Sequence, residues 1–451
     1  MSVEPRGCIK QSDCVAQLSA KDRRKLRDHT KPFAISKWDI QAAYEKVKSN
    51  RGGAGIDGAT IEDFEKDLKN NLYKIWNRLS SGTYFPPPVK AVSIPKKSGG
   101  ERILGIPTVS DRIAQMVIKE RLELIIEPIF LDDSYGYRPA KSAIDAIGVT
   151  RKRCWYNDWV LEFDIKGLFD NIRHDLLLKA VEKHVAMEEK KTQQELSWLI
   201  LYIKRWLVAP LQKEDGLLIQ REQGTPQGGV VSPLLANLFL HYVFDKFMAT
   251  QFSGLKWCRY ADDGLVHCHS EKQAQYVLFR LKKRFQACGL EIHPEKTKIV
   301  YCKDDKRQGD HEHISFDFLG YTFRRRHCRK KSDNSYFVSF NPAVSLVALK
   351  AMRRKIKELK VRSKTQYRLE ELARWLNPIL HGWNGYYGQF RRSELDSVFR
   401  HVNKALVRWA RRKFKTLKRH KSRTIGLFDK LSKKCPNLFA HWRFGSARMF
   451  A

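Results

Sequence analysis

Three aspartates stand at the ends of apolar strand-like runs. Asp262 and Asp263 lie side by side in "WCRYADDGLVHC", Trp257 to Cys268. Asp164 closes the apolar part of "VLEFDIKGLFDNI", and Asp170 follows six residues on, in the next turn or helix. A carboxylate in such surroundings is costly unless it is paired or coordinates a metal. Neighbours within a strand point to opposite faces, so Asp262 and Asp263 can share a site only at a turn. Gly264 is expected to supply that turn, making "CRYADDGLVH" a hairpin with Asp-Asp-Gly at its tip. Carboxylates raised at a tip suit hard, oxygen-preferring cations such as Mg²⁺. Asp132–Asp133 and Asp304–Asp305 lack flanking apolar strands and read as exposed loops. With Asp164, three carboxylates from two strands can hold two divalent ions about 3.5–4 Å apart. One ion would lower the pKa of an attacking hydroxyl. The other would stabilise a leaving pyrophosphate. That chemistry is nucleotidyl transfer, in which positioning and electrostatics do nearly all the work.

The elements that must position these residues follow from the pattern. "PPPVKAVSIPKKSGGERILGIPT" predicts two short strands joined by a turn at Ser98–Gly100. "VSDRIAQMVIKERLELIIEPIF" predicts an amphipathic helix stopped by Pro128. "GTPQGGVVSPLLANLFLHYVFDKF" is a Gly/Pro turn feeding a long apolar helix, and "SEKQAQYVLFRLKKRFQACG" is a helix followed by the strand "KTKIVYC". Helices and strands are mixed rather than alternating, which predicts an α+β core and not a doubly wound parallel sheet. The basic segment 324–335 marks a domain boundary, and beyond it the pattern is helical. The expected divisions are a polar extension over 1–35, a core over 36–325, a linker over 326–344 and a basic helical domain over 345–451.

A chain of 451 residues exceeds one ordinary domain. Its net charge of +36 makes a long polyanion, nucleic acid, the expected partner. No apolar run is long enough to span a bilayer, and the first thirty residues lack a signal-peptide core, so an intracellular, cytoplasmic location is expected. The nine cysteines include no C-x-x-C pair. Cys258, Cys268, His267 and His269 therefore read as ordinary strand residues rather than metal ligands.

The ordered series "PKKSGGERILGIPTVSDRIAQ", "SYGYRP", "FDIKGLFDNI", "GTPQGGVVSPLLANLFL", "YADD", "HPEKTK" and "FDFLGYTF" resembles the reverse transcriptases encoded by group II introns. The closing "HGWNGYYGQF" and "FAHWRFG" resemble their maturase (X) domain, which also forms the thumb. The resemblance runs from about residue 36 to 447. It implies a right-hand polymerase of fingers and palm followed by an all-α basic thumb, copying an RNA template from a DNA primer with dNTPs and Mg²⁺ (or Mn²⁺). It implies a catalytic triad at Asp164, Asp262 and Asp263, with Asp170 a secondary palm residue. Lys96 and Arg102 would hold the triphosphate, an arrangement that suits charge-assisted contacts to phosphate. Phe169 would stack under the sugar and exclude a 2′-hydroxyl. Gln227 and Gly228 would line the nucleotide pocket. Lys296 would protonate the leaving pyrophosphate, with Lys298 close enough to share that role. Tyr135, Tyr137 and Arg138 would stack on or pair with the template, or else serve packing.

The closing part carries 16 Lys/Arg against 3 Asp/Glu between residues 391 and 434. Arg408, Arg411, Arg412 and Lys415 are its candidate RNA contacts, suited to the cognate intron RNA, which is read by shape, stacking and backbone. The aromatics between them are expected to be mostly core. Many relatives carry a Cys/His-rich endonuclease after the X domain, and none is expected within this sequence. Two other roles fit the same motifs: an RNA-binding maturase that no longer polymerises, and a reverse transcriptase recruited to a host task. The intact aspartates and Phe169 argue against the first.

Overall fold

The computed structural model describes residues 31–95, 100–330 and 332–444. The expected N-terminal extension lies outside them up to residue 30, as does Lys96. Their strands in chain order are β1 (Val89–Pro95), β2 (Glu101–Ile106), β3 (Trp159–Asp164), β4 (Leu211–Gln212), β5 (Leu218–Ile219) and β6 (Lys256–Tyr260). Then follow β7 (Asp263–Cys268), β8 (Lys298–Tyr301), β9 (Ser315–Phe318), β10 (Tyr321–Arg329) and β11 (Tyr336–Val344). They form three sheets, ordered β2-β1-β4-β5, β6-β7-β3-β8 and β11-β10-β9. With the helices between and after them the architecture is mixed α+β, as the unalternating pattern predicts, and the region after β11 is helical. The chain divides into two compact units.

The first unit comprises Met1–Asp132, Ile165–Phe252 and Lys282–Glu291. Ser36 and Thr60 begin its helices Lys37–Ser49 and Ile61–Glu65 with capping boxes, each side-chain oxygen taking the N–H of an aspartate three residues on. The helix Val109–Ile126 ends in a single tight turn, Glu127–Ile129, that contains Pro128. Its apolar face, including Ile113, Ile118, Leu122 and Ile126, is buried. Asp111 on this helix is fully buried and accepts from Tyr84 Oη, Trp206 Nε1 and Gln115 Nε2 at 2.9, 2.7 and 2.9 Å. Burial pushes its carboxyl up to about 6 against those three bonds. The expected long helix after "PQGG" is interrupted: Ser232–Leu240 passes through a π turn, His241–Asp245, into Lys246–Gln251.

The second unit comprises Asp133–Asp164, Ser253–Leu281 and Ile292–Ala451. β3 is central in its four-stranded sheet, antiparallel to β7 on one side and β8 on the other. One core joins Val160, Leu265 and Val300 of this sheet to Phe316, Phe323 and Phe340 of the β9–β10–β11 sheet. Of the stretch 326–344, expected as a linker, residues 326–329 and 336–344 are instead paired strand: β10 and β11 face each other in register from Tyr321↔Val344 to Arg329↔Tyr336. The arginines of β10 misled the reading, because Arg324 and Arg325 are exposed on the sheet while Phe323 and Phe340 are buried. Helices Leu346–Glu358, Leu369–Tyr387, Asp396–Lys413 and Lys421–Lys434 then close over a second core that includes Leu376, Leu380, Leu406 and Trp409.

Candidate active site

The carboxylates come together through strand register. Asp164 ends β3 directly opposite Asp263, the first residue of β7. The β6–β7 hairpin closes on the pair Tyr260↔Asp263, so Ala261 and Asp262 alone form its tip. The bend is made by Ala261, whose φ is +56°. Gly264 does not supply the turn, contrary to the expectation from sequence. It lies within β7 opposite Phe163, and a Cβ there would sit 2.1 Å from the Phe163 ring. Glycine is required by the aromatic ring across the sheet, not by the bend.

Glu162, Asp164, Asp262, Asp263, Lys296 and Lys298 line one cavity of about 600 Å³. The Asp263 side chain opens to it but is hemmed in by protein. That desolvation, then the charges of Asp262 and Asp164, push its carboxyl up to about 7, with Lys296 opposing. Glu162, two residues before Asp164 on the same face of β3, is pushed up to about 8, chiefly by burial. Lys298 lies opposite Glu162 on β8. Lys296 Nζ donates to Asp164 Oδ2, and this bond holds the ammonium above the usual lysine range. The turn carrying Lys296, Pro294–Lys296, is anchored by His293 N–H donating to the Asp164 carbonyl at 2.8 Å.

The donor set suits a hard cation: three carboxylates at the meeting of two strands. Among the described residues, however, no three His, Cys, Asp or Glu side chains are gathered closely enough to form a ready metal cage. A divalent ion would hold Asp164, Asp262 and Asp263, and would compete with Lys296 for Asp164.

The residues expected at the nucleotide lie in the first unit, where the backbone ties them together. Arg102 is exposed on β2. From the same strand Gly105 N–H donates to the Gln227 carbonyl at 2.7 Å, and Gly228 follows in that loop. Thr225 N–H donates to the Phe169 carbonyl at 2.7 Å, and Gln227 Nε2 reaches Asp170 Oδ2 at 3.5 Å. Gln115 holds the far end of the loop, accepting from the N–H groups of Val230 and Val231 at 2.8 and 3.3 Å. Phe169 is half-buried.

The "SYGYRP" segment divides by burial. Tyr135 is buried in the second unit's core and serves packing, not base stacking. Tyr137 is exposed, and Arg138 Nη1 donates to the Ser134 carbonyl at 2.8 Å. Sequence reasoning missed Glu162, because a glutamate inside an apolar strand carries no motif. It also missed the role of Tyr386, whose Oη donates to the Leu319 carbonyl at 2.8 Å in the β9–β10 turn beside the cavity-lining Phe318. Of the expected RNA contacts, Arg408, Arg412 and Lys415 are exposed, whereas Arg411 is half-buried with Nη2 on the Lys418 carbonyl at 3.1 Å. Trp409 between them is core. No helix among the described residues is long and apolar enough to cross a membrane.

Residues 94–323 match the family of reverse transcriptases (RNA-dependent DNA polymerases), and residues 349–425 match the group II intron maturase-specific domain. The group II intron-encoded protein LtrA of Lactococcus lactis subsp. cremoris is 36% identical over 273 residues, covering 59% of this chain and 41% of LtrA. The chain thus spans well under half of that relative's length. Protein YkfC of Escherichia coli (strain K12) is 30% identical over 355 residues, covering 69% of this chain and 85% of YkfC. Among solved structures, a Candida albicans telomerase bound to a fragment of telomeric RNA aligns with a TM-score of 0.43 at 13% identity, covering 80% of this chain and 65% of that one.

Proposed function

Because the chain belongs to the reverse transcriptase family of group II intron-encoded proteins, we propose that it is an RNA-directed DNA polymerase. It extends a DNA primer on an RNA template with dNTPs and binds its cognate intron RNA to assist splicing and mobility. The observation that carries this reading is the pairing of Asp164 with Asp263 across β3 and β7, with Asp262 on the adjoining tip. Those three carboxylates would hold two Mg²⁺ ions, with Mn²⁺ able to substitute. Bound there, the metal supplies charge neutralisation and Lewis acidity to the reacting phosphate.

The remaining roles belong to the chain's own side chains. Lys296 carries the proton that the leaving pyrophosphate needs, kept on the ammonium by Asp164. Arg102 meets the triphosphate, with Lys96 proposed beside it. Gln227 and Gly228 shape the nucleotide pocket together with Phe169, which excludes a 2′-hydroxyl. Tyr137 and Arg138 are the remaining template candidates. The test is primer extension on an RNA template with a DNA primer, dNTPs and Mg²⁺. Template-dependent synthesis supports the reading. A folded, RNA-binding protein that makes no product sinks it and favours the maturase-only role.

Phe169→Val is expected to relax sugar discrimination. A pocket that excludes one added hydroxyl sterically discriminates by about 100-fold. The ratio of dNTP to rNTP incorporation should therefore fall by roughly that factor, with dNTP extension retained. An unchanged ratio in single-nucleotide insertion assays removes Phe169 from the pocket.

The exposed cations of the closing helices make a second expectation. Replacing Arg408, Arg412 and Lys415 together by Gln should weaken RNA binding. The slope of log affinity against log salt should lose about one unit per phosphate contact removed. A titration of RNA affinity over several salt concentrations reads both. Identical slopes would place the RNA on another face.

A further inference from the structure

Arg259 lies in β6, three residues before Asp262, and its side chain is fully buried. Nη2 donates to Ser134 Oγ at 2.8 Å, and Nη1 donates to the Ala261 carbonyl at 3.2 Å. Its backbone is held too. The Arg259 N–H donates to the Asp133 carbonyl at 2.9 Å, and its carbonyl accepts from Tyr135 N–H at 2.8 Å. Ser134 is thereby bridged in parallel to Arg259, alongside β6. Two residues on, Gly136 lies so close to the hairpin tip that a Cβ there would stand 2.4 Å from the Ala261 nitrogen. All of these contacts lie within the second unit.

Two costs meet at this point. A buried guanidinium loses several kcal/mol of hydration, and a well-packed apolar residue of similar volume is often as stable or more so. A left-handed alanine costs roughly 1–2 kcal/mol, where a hairpin would ordinarily place Gly or Asn. Both fall on the bend that carries Asp262 and Asp263. Strain persists where its surroundings over-determine it, and such places cluster at functional sites. Here Arg259 and Gly136 both meet the bend at Ala261.

We propose that Arg259 is a positioning residue: with Ser134 and Gly136 it clamps the Ala261–Asp262 bend so that Asp262 and Asp263 stay in register with Asp164 for a divalent cation. The clamp deepens the polymerase reading and takes its functional meaning from it. A core arginine that only adds stability is the competing explanation, and the two separate by what they change. A loosened clamp alters the metal site in every molecule. A merely structural defect lowers the number of folded molecules and leaves the survivors normal.

The experiment uses the full chain with Arg259→Met, Arg259→Lys, Ser134→Ala and Gly136→Ala. Three quantities are measured: thermal unfolding, Mn²⁺ affinity by electron paramagnetic resonance, and the amplitude and rate of the first turnover on template–primer. In Arg259→Met and Gly136→Ala, Mn²⁺ affinity and first-turnover rate should fall by roughly 10–100-fold, the scale of lost supporting contacts at metal sites. Ser134→Ala should fall less, and Arg259→Lys should recover part of the loss because it keeps a cation able to donate at this position. A lower unfolding temperature and burst amplitude, with wild-type Mn²⁺ affinity and first-turnover rate, would overturn the clamp. If Arg259→Met does not fold, Ser134→Ala and Gly136→Ala decide by the same readouts. If wild type extends no primer, the polymerase reading fails, while Mn²⁺ affinity across the variants still decides the clamp. Wild type that neither extends nor binds Mn²⁺ overturns both.

Discussion

Asp164→Asn should lower primer extension by roughly 10²–10³-fold, the loss seen when one group that stabilises transition-state charge is removed. Template–primer affinity should be unchanged. The substitution keeps the size of the side chain and its place at the end of β3, opposite Asp263. It removes one of the charges that the metal would hold, and it frees Lys296 from its carboxylate partner. Asp170→Asn is the contrast. Asp170 is exposed and its proposed role is secondary, so its loss should be far smaller. Single-turnover extension beside an equilibrium binding titration separates chemistry from binding. Asp164→Asn with a wild-type rate would remove Asp164 from the catalytic set, whatever the family implies.

Much of the site could be read from the chain because it rests on local pattern. Apolar runs ending in aspartate gave both strands, and a hairpin was needed to bring neighbouring carboxylates to one site. What pattern cannot supply is register and the partners of a side chain across space. Gly264 shows the difference. Its position beside the hairpin was legible, but its reason is the ring of Phe163 on another strand. Arg259 looks like an exposed cation in sequence and is fully buried in the fold, where its partner Ser134 comes from a segment more than a hundred residues earlier. The same limit explains 326–344. A basic, Ser-containing run resembles a linker until its apolar neighbours are seen packing on one side of a paired hairpin. Trp409 is core, as expected of the aromatics among the closing cations, whereas Tyr135 gave no sign, from type alone, of whether it meets a base or a core.

His267→Leu should stabilise the protein most at acid pH, and the reason bears on the carboxylates beside it. His267 is fully buried in β7, and neither ring nitrogen has a hydrogen-bond partner among the described residues. Burial, then the charge of Arg153, lowers its pKa from 6.5 to about 3. Between those values the unfolded chain takes up a proton that the folded chain refuses. Stability is therefore complete above about pH 6.5 and is lost as pH falls. At pH 5 that loss is about 2 kcal/mol, at about 1.4 kcal/mol per pH unit. Asp263 and Glu162 act with the opposite sign. Their folded values, about 7 and about 8, lie above the ordinary 3.8 and 4.5, so the folded chain keeps protons that the unfolded chain has lost. Their contribution is lost as pH rises through that window. From about pH 4.5 to 6.5 the two slopes oppose each other, and a wild-type stability profile alone shows only their difference. Asp111, raised to about 6, adds to the carboxylate side, and His441, which burial also lowers to about 3, keeps part of the opposing slope, so in His267→Leu urea unfolding across pH 5–8 should show stability falling more steeply with pH than in wild type. A divalent cation favours the ionised carboxylates, so Mg²⁺ should raise the unfolding temperature more at pH 8 than at pH 6. Asp263→Asn should remove most of that difference. A His267→Leu profile with the wild-type shape would mean that the histidine is not buried neutral. A Mg²⁺ effect independent of pH would mean that the cation does not meet Asp263.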